Sequence, residues 1–206
     1  MQNKNLEIIA HRGFWELEKE KNTLLAFEKA FENNFGIETD LRDFNGEIII
    51  SHDIPSGDEI IFEEVLKILD KRNLPLALNI KSDGLGEKIK NLLEKYEAKN
   101  YFTFDMSIPQ MIVYKDLELN FFTGISDICP NGILFNDSQG VWLDSFNTDW
   151  FDKNEIQKYL NQNKKVCIVS PDLHKREYKS IWEKYKNTKG IMLCTDFPIE
   201  AKDFFR

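Results

Sequence analysis

Four consecutive pieces of the chain decide its fold: IIAHRGFW (8–15), EKNTLLAFEKAFENN (20–34), GIETDLRDF (36–44) and NGEIIISHD (45–53). The first is a short apolar run that ends in His11 and Arg12. In the second, Asn22-Thr23 offers an N-terminal cap, and Leu24, Phe27, Ala30 and Phe31 recur at helical spacing. Gly36 opens the third, and Asn45-Gly46 closes it with a hairpin-type turn. The unit therefore reads strand, helix, strand. Strand side chains alternate between faces, so Glu38 and Asp40 project one way and Ile37, Thr39 and Leu41 the other. Two carboxylates on one face are costly to bury unless a cation sits between them. Two of the chain's three histidines, His11 and His52, bracket this acidic strand.

Beyond it, helix-period runs alternate with short β-rich runs. IFEEVLKILDKR carries Ile61, Val65, Ile68 and Leu69 as its expected stripe, and Pro75 ends that unit. LALNI (76–80), YFTFD (101–105), LNFFTG (119–124), VWLDSF (141–146), KVCIVS (165–170) and IMLCTD (191–196) read as strands. Helical patterns fill every gap except the one between the fifth and sixth strands, where Pro130 and Gly132 sit. Repeated strand–helix units imply parallel strands with right-handed crossovers, and about eight of them over this length predict a small α/β TIM (β/α)8 barrel, one domain over residues 1–206. A doubly wound open sheet is the alternative, but the glycine-rich phosphate turn after the first strand is absent. In a barrel, the polar residues that end the strands converge on one mouth: His11 and Arg12, Glu38 and Asp40, Asn79 and Lys81, Asp105, Asp144, Ser170 and Asp172, Thr195 and Asp196.

The 206 residues are 42% hydrophobic, enough for one sizeable core, and 27 Lys+Arg against 35 Asp+Glu give a net charge of -8. The basic residues are scattered, which argues against a nucleic-acid partner. Cys129, Cys167 and Cys194 are an odd number at wide spacing, two of them inside apolar runs, and read as buried reduced thiols rather than a disulfide framework or zinc site. No run is long enough for stable membrane insertion, and MQNKN at the start lacks the form of a leader, so a cytoplasmic protein is expected. The oligomeric state is not written in these features.

The ordered set HRG, NTLLAFEKA, GIETD, SHD, NIK and TDFP resembles the glycerophosphodiester phosphodiesterase family, whose fold is a TIM barrel. The resemblance is dense over 8–53, returns at 62–66 and 76–81, and thins until 194–198. Carried over position by position, it implies that His11 and His52 are the acid–base histidines and that Arg12 contacts phosphate. It makes Lys81 the lysine that stabilises phosphoryl charge, and Glu38 and Asp40 ligands of a divalent metal ion, calcium or magnesium. Asp196 and Trp142 are further candidates for touching substrate. Three departures stand out. Asn79 occupies the place of a third ligand glutamate, Glu20-Lys21 that of a proline-glutamate pair, and only IPSGDEI (54–60) stands where many members carry a capping insertion. An amide oxygen still coordinates a hard cation but brings no charge, so weaker metal affinity is expected. The missing cap implies an open mouth.

The residue types suit the implied chemistry. A phosphodiester is anionic, so a cation and a guanidinium offset the charge that grows in the transition state. Imidazoles titrate near neutrality and carry protons to and from oxygen. The partner is then a small-molecule phosphodiester. Two other readings remain at this point: a degenerate barrel that binds an anionic polyol phosphate without turnover, and a phospholipase-type enzyme acting on lipid headgroups.

Overall fold

β1 (Leu6–His11) lies between β2 (Gly36–Phe44) and β9 (Ile191–Thr195) and pairs in parallel with both. The computed structural model describes residues 6–206, so the reading of MQNKN lies outside the described residues. The remaining strands are β3 (Glu47–Ile50), β4 (Leu76–Ile80), β5 (Tyr101–Phe104), β6 (Phe122–Ile125), β7 (Gly140–Leu143) and β8 (Lys165–Val169). Their spatial order is β5-β4-β2-β1-β9-β8-β7-β6, all parallel, with β3 folded back antiparallel on β2. A bridge between Thr103 and Phe121 brings the two ends of this row together. Eight parallel strands thus form a nearly closed barrel.

The helices α1 (Leu24–Glu32), α2 (Phe62–Leu69), α3 (Gly86–Lys95), α4 (Ile108–Asp116), α5 (Lys153–Asn161) and α6 (Lys179–Tyr185) occupy the crossovers, and α7 (Pro198–Phe204) follows the last strand. Residues 126–139, between β6 and β7, form no regular helix, as the Pro130 and Gly132 signals indicate. Thr23 caps α1 by accepting from the Ala26 amide at 3.3 Å. The buried face of α2 is Phe62, Val65, Leu66 and Leu69. Val65 and Leu69 are buried as expected, whereas Ile61 and Ile68 are only half-buried and Phe62 and Leu66 take the remaining buried places.

Inside the barrel, Ile9, Ala77, Phe102, Phe104, Phe122, Trp142, Cys167 and Cys194 fill the axis. Phe102 stacks on Phe122 at 3.8 Å and Phe104 on Trp142 at 4.0 Å between ring centres. This packed interior is a floor rather than a pore, and it leaves the polar strand ends standing above it. Cys167 and Cys194 are buried free thiols, whereas Cys129 is free but exposed.

Candidate functional site

The turn after β1 builds the first wall of the mouth. Arg12 adopts φ 56° and Gly13 φ 88°. A side chain at residue 13 would place its Cβ 2.8 Å from the carbonyl carbon of Ala26, so only glycine lets α1 pack this close. The Arg12 amide donates to the Glu38 carbonyl at 2.9 Å, and the Asn22 amide donates to the Arg12 carbonyl at 2.9 Å. Backbone bonds on both sides hold Arg12 in its left-handed conformation and aim the guanidinium across the ends of β1 and β2.

His11 and Glu38 are register partners on adjacent strands, as are Asp40 and Asn79 on the next pair. Glu38 is 2% exposed and Asp40 1%. Asp40 has two ion pairs and one hydrogen bond: Arg12 Nε lies at 3.1 Å and Lys81 Nζ at 3.3 Å, and the Asn22 side-chain Nδ2 donates to it at 2.9 Å. Asn22 also accepts from the Thr39 hydroxyl at 3.0 Å. Sequence reasoning placed Asn22 in a helix cap; the cap is Thr23 alone, and Asn22, at φ 58°, turns its amide onto the acidic strand. An asparagine just before the capping threonine, a residue type that tolerates the left-handed region, was the signal the sequence offered.

Glu38 lacks such company. Its carboxyl is pushed up first by burial and then by the Asp40 charge, against the opposing pull of Arg12 and Lys81. Its Oε2 is buried without a hydrogen-bond partner, and so is the Asn79 Oδ1. Two orphaned oxygens on the inward side of neighbouring strands suit a hard cation, and Glu38, Asp40 and Asn79 are the residues that would hold it. Among the described residues no three His, Cys, Asp or Glu side chains converge as a metal-binding group, so the third oxygen here is an amide's. A cation would also have to share Asp40 with Arg12 and Lys81.

The two histidines are each tied at Nδ1 to a carboxylate. His11 Nδ1 lies 2.6 Å from Asp196 Oδ1, and His52 Nδ1 lies 2.9 Å from Asp53 Oδ1. The His11 Nε2 side faces Glu38 Oε2 at 3.7 Å. Asp196, expected to touch substrate, lines the same cavity as His11 and also engages the His11 ring. It is itself fixed by the buried Asp172, which accepts from the Asp196 amide at 2.7 Å and from the Thr195 hydroxyl at 3.0 Å. His11 lines a cavity of about 460 Å³ together with Arg12, Trp15, Lys21, Tyr178 and Phe197. His52 lines an adjoining cavity of about 530 Å³ with Arg12, Lys21, Asn22 and Ile54. Arg12 and Lys21 stand in the wall common to both.

Trp142, the other expected substrate contact, is 7% exposed and stacked on Phe104 in the barrel interior, away from both cavities. His174 does not join the pair: its Nε2 lies 2.7 Å from Asp144 Oδ1, and its ring tilts against Phe146. The connection at 54–60 has no helix or strand of its own. Glu59 ties it together by accepting from the Ser56 amide at 2.6 Å, the Ser56 hydroxyl at 2.9 Å and the Gly57 amide at 2.8 Å.

Fold and site together define a single TIM barrel whose mouth combines two carboxylate-tethered histidines, a shared arginine and a buried acidic strand. No protein-family model and no curated protein matches the sequence. Solved structures do match the fold. A candidate glycerophosphodiester phosphodiesterase from Galdieria sulphuraria superposes with TM-score 0.80 at 20% identity, covering 100% of this chain and 99% of that one. A glycerophosphodiester phosphodiesterase from Agrobacterium tumefaciens gives TM-score 0.72 at 14% identity over 97% and 98% of the two chains. An Oleispira antarctica phosphodiesterase in complex with the product sn-glycerol-3-phosphate gives 0.71 at 15% identity over 96% of each. The chain shares the barrel fold of these proteins over 96% to 100% of its length.

Proposed function

We propose that this protein hydrolyses a glycerophosphodiester or a related polyol or sugar phosphodiester, with divalent-metal assistance and His11 and His52 as its proton carriers. One observation carries the reading: the two imidazoles line adjoining cavities on either side of Arg12, on the fold shared with solved glycerophosphodiester phosphodiesterases. Arg12 and Lys81 supply positive charge for the phosphoryl oxygens, and a bound divalent ion would add electrophilic charge there. With Nδ1 of each histidine engaged by a carboxylate, Nε2 of each is the atom left to exchange a proton. One takes the proton of the attacking oxygen while the other delivers one to the leaving oxygen. The attacking oxygen is a neighbouring hydroxyl of the polyol, whose bond to phosphorus forms as that to the leaving alcohol breaks; water then opens the resulting cyclic phosphate, which completes the hydrolysis with no redox change.

A second reading keeps the chemistry and changes how the substrate is presented. Large apolar side chains stand exposed on five connections at the mouth, Leu17, Ile54, Ile128, Phe146 and Phe197, and on the first residue of α4, Ile108. None of the exposed large apolar side chains among the described residues lies in a connection from a helix to the following strand, at the opposite end. Apolar residues ringing a polar cavity suit a lipid headgroup at an interface. Among the described residues, no helix is long and apolar enough to cross a membrane.

Both readings are tested by one panel of soluble glycerophosphodiesters and vesicle-borne lysophospholipids, assayed with and without chelator. Turnover of soluble diesters that stops on chelation, and in His11→Ala and His52→Ala, is the expected result. A preference for the vesicle substrates would favour the second reading. No turnover of any phosphodiester would leave a binding barrel, and turnover that survives exhaustive chelation would remove the metal from the proposal.

A further inference from the structure

The third position of the acidic site is filled by an amide, and an amide has two unlike ends. Which end faces the site decides whether Asn79 invites a cation or repels it, since the oxygen accepts and the NH2 group only donates. β4 lies between β2 and β5, so residue 79 has Asp40 as its register partner on one side and Phe104 on the other. Asp105 follows Phe104 directly. Its backbone is left-handed at φ 62°, a conformation that asparagine and aspartate tolerate better than most residues, and it ends β5. Asp105 Oδ2 there accepts a hydrogen bond from Asn79 Nδ2 at 3.3 Å. With Nδ2 drawn to the β5 side, Oδ1 points away from it, and this oxygen is buried without a partner in a residue that is 8% exposed.

We propose that Asp105 is a positioning residue: by holding the Nδ2 end of Asn79, it presents Oδ1 as the third oxygen of the divalent-cation site. The inference rests on the metal reading above and concerns how this chain compensates for lacking a third carboxylate at position 79. A ligand glutamate has two equivalent oxygens and needs no such partner. A ligand asparagine does, because a flipped amide turns two N–H groups toward the cation. Asp105 also lies within electrostatic reach of Lys81 and Asp40, on the same mouth. The arrangement has the form of a residue that touches the ligand, backed by one that fixes its orientation.

Cation affinity itself is the readout, measured by titration calorimetry of Ca²⁺, Mg²⁺ or Mn²⁺ into chelator-stripped protein without substrate. Asp105→Gly removes the carboxylate and accepts φ 62° without strain, and it should weaken binding by about 10- to 100-fold, the usual cost of losing an orienting partner. Asp105→Asn keeps an acceptor and should fall between the two, which preserves the test if the glycine variant is poorly folded. In an Asn79→Glu background there is no amide to orient, so Asp105→Gly should then change affinity by no more than about twofold. Equal weakening in both backgrounds would show that Asp105 acts only through its charge, and the inference would fall. It would fall equally if Asp105→Gly bound cations as the wild type does, with the metal reading intact. A wild type that binds none of the three ions would overturn the metal reading and this inference with it.

Discussion

Replacing Asp196 by asparagine isolates the device that aims His11. The carboxylate sits 2.6 Å from His11 Nδ1, both side chains are 14% exposed, and Asp172 anchors the Asp196 backbone. Asp196→Asn changes one atom and leaves that anchoring in place, so the fold should survive. What is lost is a charge-assisted hydrogen bond between partly buried groups, worth about 1.5–3 kcal/mol. If that energy serves to hold the ring and stabilise its protonated form during proton transfer, kcat should fall by about 10- to 150-fold at 1.36 kcal/mol per decade, with KM little changed. Steady-state hydrolysis of a soluble glycerophosphodiester measures this directly. A second arm separates positioning from general damage: in a His11→Ala background the same change should cost no more than about twofold, because the group it orients is gone. Wild-type kcat in the natively folded single variant, or an equal loss in both backgrounds, would refute the assignment.

Two further outcomes follow from the geometry. Gly13→Ala combines a left-handed φ of 88° with a Cβ 2.8 Å from the Ala26 backbone. It should destabilise the protein by about 2–5 kcal/mol in urea denaturation, the sum of conformational strain and forced displacement of α1. His174 gains from Asp144: the hydrogen bond, ahead of other causes, raises its pKa above the ordinary value. A raised folded value means stability fully present below about pH 6.5 and lost as pH climbs through the folded value. His174→Gln should then cost about 1 kcal/mol near pH 5.5, modest because the imidazole is one-quarter exposed, and less near pH 9. A pH-independent cost in denaturation at the two pH values would contradict the sign.

Much of the barrel was legible because its signals are local. Strand alternation put Glu38 and Asp40 on one face, the capping threonine started α1, and Pro130 and Gly132 marked the one gap without a helix; none of these depends on a distant partner. Placing His11, Arg12, Asn79, Lys81 and Asp196 at strand ends needed only the rule that parallel barrels gather such ends at one mouth. What each side chain does there depends on residues far away in the chain, and that is where local reading fails. Asp196 holds His11 across 185 positions, and Trp142 stacks into the interior because Phe104 stands opposite it. Asn22 leaves its cap for Asp40 and Thr39 on the neighbouring strand. On α2, Val65 and Leu69 are buried as periodicity placed them, but Phe62 and Leu66 replace Ile61 and Ile68, because the packing surface of the barrel decides the edges of the buried stripe. Pattern alone determines which groups reach the mouth. Hydrogen-bond partners, burial and the direction in which an amide points are properties of pairs that only the closed barrel brings together, and those decided that Glu38 and Asn79 are left with unpaired oxygens while Asp40 is not.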